Sequence, residues 1–187
     1  VRDSEAAMKA AIGEALATSD VVLLAGGVSA GKFDLVPGVL TQLGVAAHFH
    51  KVRMKPGKPL LFGTKDGVLV FGLPGNPVSA WVCFELFVRP ALRRLAGEAV
   101  AGPPRRRLPL AEAIAEVNDR PTFRPARLET GLRVRPLPWA GAPDLRGIAP
   151  ADALILLPAG ESRLDPEMEV EVILIGEAVE IVEGIQS

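Results

Sequence analysis

The chain lacks tyrosine altogether, has a single cysteine and only two histidines, and carries no excess of either charge. One cysteine, Cys83, excludes an intramolecular disulfide. Beside two histidines it also argues against a zinc site. Cys83 lies in an apolar run, which reads as a buried structural thiol rather than a nucleophile. Aromatic residues make up 5% of the chain and the formal net charge is -1, which argues against a nucleic-acid coat and against a polybasic membrane surface. Any anion site must therefore be a local cluster. No stretch has the length and purity of a membrane span and no signal peptide opens the chain, so the expected setting is the cytoplasm. Val1 leads almost directly into a helix, from which a preceding N-terminal portion is expected.

What is present is enough apolar sequence for one sizeable domain or two small ones: 187 residues, 49% of them hydrophobic. Asp3 and Ser4 can cap a first helix, with Met8, Ile12, Ala15 and Leu16 on one face. Val21 to Ala25 is an uninterrupted apolar run, the pattern of a strand buried on both faces. Gly26-Gly27 closes it, and Val36, Val39, Leu40 and Leu43 are spaced for a second helix that ends at Gly44. Strands are expected over 46–52, 59–63 and 68–73, the last two joined by a hairpin turn at 64–67. A long apolar helix is expected from Val78 to Ala96, with Pro77 in its first turn. Gly102-Pro103-Pro104 breaks that texture, which sets domains at 1–103 and 104–187. The second has short β-type runs, among them Ala153 to Leu157 and Val170 to Ile175, between proline-rich turns. A small barrel or sandwich fits it.

Three segments can carry chemistry. Gly26 to Asp34 follows a strand. There, glycines let backbone N–H groups approach a phosphate, a helix N-terminus favours negative charge, and Ser29 supplies a hydroxyl. A plain strand-to-helix turn accounts equally well for this segment alone. In Lys51-Val52-Arg53-Met54-Lys55-Pro56-Gly57-Lys58-Pro59, period-two alternation puts Lys51, Arg53 and Lys55 on one face, and the Pro-Gly turn can bring Lys58 round to them. Ammonium groups held together in a rigid turn repel one another unless an anion lies between them. The bland alternative is a solvated basic loop. Gly72-Leu73-Pro74-Gly75-Asn76-Pro77-Val78-Ser79-Ala80 is a second strand-to-helix turn, which alone reads as ordinary capping.

Taken in order, the motifs at 26–34, 55–59 and 72–80 resemble the MoeA family and the E domain of gephyrin, closely over residues 1 to about 100 and more loosely beyond. The resemblance implies an α/β fold: a MogA-like three-layer domain with a mostly parallel sheet, followed by a small all-β barrel-like C-terminal domain. It implies a molybdopterin molybdenumtransferase, which joins molybdate to adenylylated molybdopterin, releases AMP and uses Mg²⁺. A homodimer of the full-length protein is implied too. By position, Gly26, Gly27 and Ser29 hold the pterin phosphate, with Gly31 beside them. Lys51, Lys55, Lys58, Pro59 and Ser79 line the molybdate and phosphate pocket, and Pro74, Gly75, Asn76 and Pro77 form the neighbouring turn. Asp3 and Asp34 match acidic residues that hold the metal or polarise the phosphoanhydride. Where the family has a Gly-Ser turn near 141, this chain reads Gly141-Ala142-Pro143-Asp144. Arg124 or Arg127 can reach the pocket from the second domain.

Three rival readings remain, one of them a relative that uses the same α/β fold for adenylylation of the pterin or nucleotide-linked chemistry, which the Lys55-Pro56-Gly57-Lys58-Pro59 segment disfavours. Gephyrin indicates that the fold also serves as a non-catalytic binding or scaffold module, which intact Asp34, Lys55 and Lys58 disfavour. Arg105-Arg106-Arg107 suggests a nucleic-acid binder only weakly, and an exposed linker explains it.

Overall fold

The computed structural model describes residues 4–28, 35–138, 145–160 and 163–176. The chain forms two compact units, residues 1–52 with 57–83, and residues 53–56 with 84–187.

In the first unit, helix α1 (Glu5–Thr18) begins at Ser4, whose side chain accepts a hydrogen bond from the Ala7 amide at 3.2 Å. Strand β1 (Val21–Ala25) follows, then helix α2 (Val36–Gln42) and strands β2 (Ala46–His50), β3 (Leu61–Lys65) and β4 (Val68–Leu73). The sheet order is β1-β4-β3-β2. Val36, Val39 and Leu40 of α2 and Ile12 of α1 are buried against Val22, Leu61 and Val70 of one sheet face. The β3–β4 connection is a two-residue turn in which Asp66 (φ 48°) and Gly67 (φ 89°) both take positive φ, the geometry that suits a tight hairpin.

Three expectations need correction. Among the described strands one pairing is parallel, β1 with β4, and two are antiparallel, so this sheet is mixed. β1 lies at the rim of that sheet: Val22 is buried but Leu23 is 43% exposed, so the apolar run is not covered on both faces. β2 stops at His50, because Lys51 turns to φ 78° and leaves the extended conformation.

The expected long helix is composite. Helix α3 (Pro77–Cys83) is followed by a π turn (Phe84–Val88) and then by helix α4 (Arg89–Leu95). Pro90 explains the interruption: it has no N–H for the preceding turn, and its ring crowds the carbonyl four residues back. The division between units falls at Cys83 and Phe84.

In the second unit, strands β5 (Arg105–Pro109), β7 (Thr122–Glu129), β8 (Arg133–Pro136), β9 (Ala153–Leu157) and β11 (Glu169–Leu174) form an antiparallel sheet of order β5-β11-β9-β7-β8. The two-residue strands β6 (Ile114–Ala115) and β10 (Arg163–Leu164) pair beside it. The sheet curls: Ala111 N–H donates to the Val134 carbonyl at 2.8 Å, bringing the end of β5 against β8. Leu108, Ile155, Val172 and Leu174 are buried inside the curl. The arginines at 105–107 are not a linker. They belong to β5, where Arg105 pairs with Glu171 at 2.7 Å and Arg107 with Glu169 at 3.4 Å.

Candidate functional site

Strand direction gathers the first unit's motifs. β1, β4 and β2 run the same way and β3 runs against them. Ala25 pairs with Leu73, Leu61 with Gly72, and His50 with Leu61, so one sheet edge carries the C-terminal ends of three strands and the start of the fourth. From that edge emerge Gly26-Gly27, the 74–77 turn, Lys51, and Lys58-Pro59-Leu60. Ligands in open α/β sheets bind at such an edge, where strand ends release their backbone groups.

Hydrogen bonds tie these segments together. The Gly26 amide donates to the Leu73 carbonyl at 2.9 Å, the Lys51 amide to Leu60 at 2.8 Å, and the Val52 amide to Lys58 at 2.8 Å. His50 Nε2 lies 2.7 Å from the Val28 carbonyl, and His48 Nε2 lies 2.7 Å from Thr64 Oγ1. Both histidines therefore brace neighbouring segments, in keeping with a structural role.

Gly26 (φ 86°) and Gly27 (φ 70°) are consecutive left-handed residues. Successive residues that reverse the backbone this way can turn amide groups towards a common anion. Asn76 caps the following helix, its Oδ1 accepting from the Ser79 amide at 3.4 Å, with Pro77 as the first helical residue. Ser79 and Pro74 are buried, Asn76 is half-buried, and Gly75 is exposed. Lys51 and Lys58 are exposed, and Pro59 is half-buried.

Lys55 is placed differently. The alternation expected for Lys51, Arg53 and Lys55 does not hold, because Lys51 is left-handed and the chain crosses between units after Val52. Within the second unit the Lys55 amide donates to the Pro121 carbonyl at 2.9 Å, and the Phe123 amide donates to the Lys55 carbonyl at 2.7 Å. Arg53 donates to the Asp119 carbonyl at 2.8 Å. Lys55 Nζ lies 2.6 Å from Glu116 Oε1, while Arg124 donates to Glu116 Oε2 at 3.2 Å. Glu116 went unrecognised in the sequence: it belongs to no motif and lies 61 residues from Lys55. Of the two arginines considered, Arg124 joins this cluster and Arg127 is exposed.

Cys83 is fully buried, its thiol directed at the Gly57 carbonyl at 3.6 Å. Burial pushes its pKa up to about 12, which makes it a structural thiol. Asp3, Ser29, Gly31 and Asp34 lie outside the described residues, as do Gly141-Ala142-Pro143-Asp144. Among the described residues no three His, Cys, Asp or Glu side chains gather as a metal site. No described helix is long and apolar enough to cross a membrane.

Comparison with known proteins agrees with this geometry. Residues 1–94 match a family model described as "Probable molybdopterin binding domain", and residues 107–175 match "MoeA C-terminal region (domain IV)". The chain is 42% identical over 102 residues to a molybdopterin molybdenumtransferase of Nostoc sp., covering 53% of this chain and 23% of that protein. It is 34% identical over 185 residues to gephyrin of Dictyostelium discoideum, covering 84% and 26%. The crystal structure of a molybdopterin biosynthesis MoeA protein from Pyrococcus horikosii superposes with a TM-score of 0.75 at 33% identity, over 92% of this chain and 41% of that one. The chain thus spans well under half the length of these relatives. On both family matches, it belongs to the MoeA family.

Proposed function

We propose that this chain supplies the pterin- and anion-binding part of a molybdopterin molybdenumtransferase, which inserts molybdate into adenylylated molybdopterin with release of AMP. The observation that carries this reading is the gathering of Gly26-Gly27, the 74–79 turn, Lys51 and Lys58 at one sheet edge. Relatives that bear the transferase name support it. In this reading the domains are 1–103 and 104–187, a boundary flanked by the two family matches. The setting is cytoplasmic, and the full-length protein is a homodimer.

The reaction brings molybdate, a dianion, to a pterin whose phosphates are also negative. Gly26, Gly27 and Ser29 bind the pterin phosphate through backbone amides and one hydroxyl. Lys51 and Lys58, with Pro59 and Ser79, receive the oxyanion, and Lys55 is assigned to the same ligand. Preorganised ammonium groups and amide dipoles offset the repulsion between the two anions and stabilise charge on the departing AMP. No covalent bond to the protein is required. The described residues do not by themselves form a magnesium site, and no step here is routed through Mg²⁺. Asp3 and Asp34 are its proposed ligands, and bound Mg²⁺ supplies charge neutralisation at phosphate oxygens.

Calorimetric titration of the chain with molybdopterin, beside the Lys55→Ala Lys58→Ala variant, tests this. Saturable binding that the variant weakens supports the reading. Full binding by the variant, or none by the folded wild-type chain, refutes it.

A further inference from the structure

We infer that His50 is a positioning residue for the Gly26-Gly27 turn: its imidazole reaches the Val28 carbonyl from the far rim of the sheet and fixes the end of the loop. The inference rests on the proposed function, in which the amides of that turn bind the pterin phosphate. Its own support is a row of residues in register. Leu24 pairs with Gly72, Gly72 with Leu61, and Leu61 with His50, one from each strand of the order β1-β4-β3-β2. Residues paired in this way project from the same face of a sheet.

Val28 lies along that row. A Cβ on Gly72 would stand 2.7 Å from Val28 Cγ1, and Val28 is 1% exposed. Glycine at 72 therefore leaves room for Val28 to lie down on the sheet. The Val28 carbonyl then meets His50 Nε2 at 2.7 Å. A carbonyl oxygen accepts, so Nε2 carries the hydrogen and donates it. The loop thus leaves β1, passes over Gly72 of β4, and is tied to β2. Four strands span about 14 Å between their outer axes, whereas three residues reach about 10 Å at most. The imidazole supplies the remaining reach.

The tie matters because of what it holds. Gly26 (φ 86°) and Gly27 (φ 70°) are both left-handed, and glycine has the most backbone freedom to lose on ordering. At the near end the Gly26 amide donates to the Leu73 carbonyl at 2.9 Å. At the far end the His50 bond holds Val28. With both ends fixed, the intervening backbone keeps one arrangement before a phosphate arrives, which removes part of the ordering that binding otherwise demands. His48 offers the contrast. It stands two residues earlier on β2 with a contact of the same length, but to Thr64 Oγ1 of β3 rather than to the loop.

The test reads loop order and ligand binding separately, by amide hydrogen exchange and by calorimetric titration with molybdopterin. A glutamine sets its amide nitrogen about where Nε2 stands, and an asparagine sets it about where Nδ1 stands. His50→Leu and His50→Asn should speed exchange over Gly26 to Val28 and weaken molybdopterin binding about fivefold, in the range of one lost hydrogen bond. His50→Gln keeps the donor in reach and should stay within about twofold of wild type in both readings. His48→Leu should move neither. Should His50→Leu lower thermal stability, the asparagine and glutamine variants carry the test. Unchanged exchange or unchanged binding in both His50→Leu and His50→Asn overturns the inference. So does a loss in His50→Gln equal to that in His50→Asn, which would set the ring itself against the ligand. An equal loss in His48→Leu, which would make the effect general to β2, overturns it as well. In each of those cases, weakened binding by Lys55→Ala Lys58→Ala leaves the proposed function standing. Undiminished binding by that lysine variant, or no binding by the wild-type chain, defeats both.

Discussion

Gly26 and Gly75 approach so closely that a Cβ on Gly75 would lie 3.3 Å from the Cα of Gly26. One follows β1 and the other follows β4, and the parallel pairing of those strands sets the two turns side by side. Two motifs that are unremarkable separately become one surface here. A side chain at 75 would press on Gly26 and require the turns to give by a few tenths of an ångström, whereas one at 26 would meet Gly75 Cα at an ordinary 3.7 Å.

Gly26→Ala and Gly75→Ala should therefore differ. At φ 86° an alanine at 26 is strained, though its Cβ would meet nothing closer than 3.7 Å, and about 1–2 kcal/mol of stability should be lost. Position 75 carries no such backbone strain, so its effect on stability should be smaller, while its crowding against Gly26 should separate the turns and weaken molybdopterin binding more than Gly26→Ala does. Urea unfolding beside calorimetric titration separates the two effects. Equal stability losses at the two positions would show that crowding, not left-handed backbone, dominates.

Gly72 is small because Val28 packs over it. An alanine Cβ there would lie 2.7 Å from Val28 Cγ1 and 3.2 Å from Leu61 Cβ, in a region where Val28 is 1% exposed. Overpacking of this kind destabilises by about 1–3 kcal/mol. The contact under 3.0 Å is with Val28 alone, so Val28→Ala should relieve most of the conflict. In the double variant, Gly72→Ala should then have little further effect on the unfolding midpoint. A full loss in that background would locate the conflict at Leu61 or the backbone instead.

Local features of this fold were legible because neighbours in sequence decide them. Asp66-Gly67 can form only a tight turn between two β-rich runs, and Ser4 caps α1 as its position suggests. The order of the three motifs identified the family, and strand direction then explained why they meet. What resisted reading depends on distant partners. The period-two argument for Lys51 failed at a single left-handed residue. Arg105 and Arg107 looked like a loose basic run because Glu171 and Glu169 are more than sixty residues away. Glu116 was unreadable for the same reason. Pro90 was a local signal for the π turn that helical periodicity concealed.

Asp152 should make the protein less stable at neutral pH than in mild acid. Burial is the largest influence on its carboxyl and raises its pKa above the ordinary value, outweighing the hydrogen bond from the Leu128 amide at 2.8 Å and the charge of Arg127. A carboxyl whose folded pKa is raised contributes stability that is fully present below the unfolded pKa. That contribution is lost as pH rises through the folded value. Asp152→Asn keeps an acceptor for Leu128 without the charge. The variant should unfold at higher urea than wild type at pH 7, and the gap should close as pH falls towards the ordinary aspartate range. A gap that widens in acid would reverse the assignment.

Cys83 offers the last check, on the packing beneath the 57–60 turn. Its thiol is fully buried, points at the Gly57 carbonyl, and has a pKa pushed up to about 12 from an ordinary 9.0. Thiolate is the reactive form, so at pH 8 the folded protein holds about a thousandfold less of it than an ordinary cysteine does. Maleimide labelling should accordingly be slower by at least that factor in the native protein and become rapid in urea, with the transition tracking global unfolding. Labelling that begins well below the unfolding midpoint would mean that the turn over Cys83 opens by itself. The Lys58 segment would then belong to a locally unstable element, and a preorganised anion site could not rest on it.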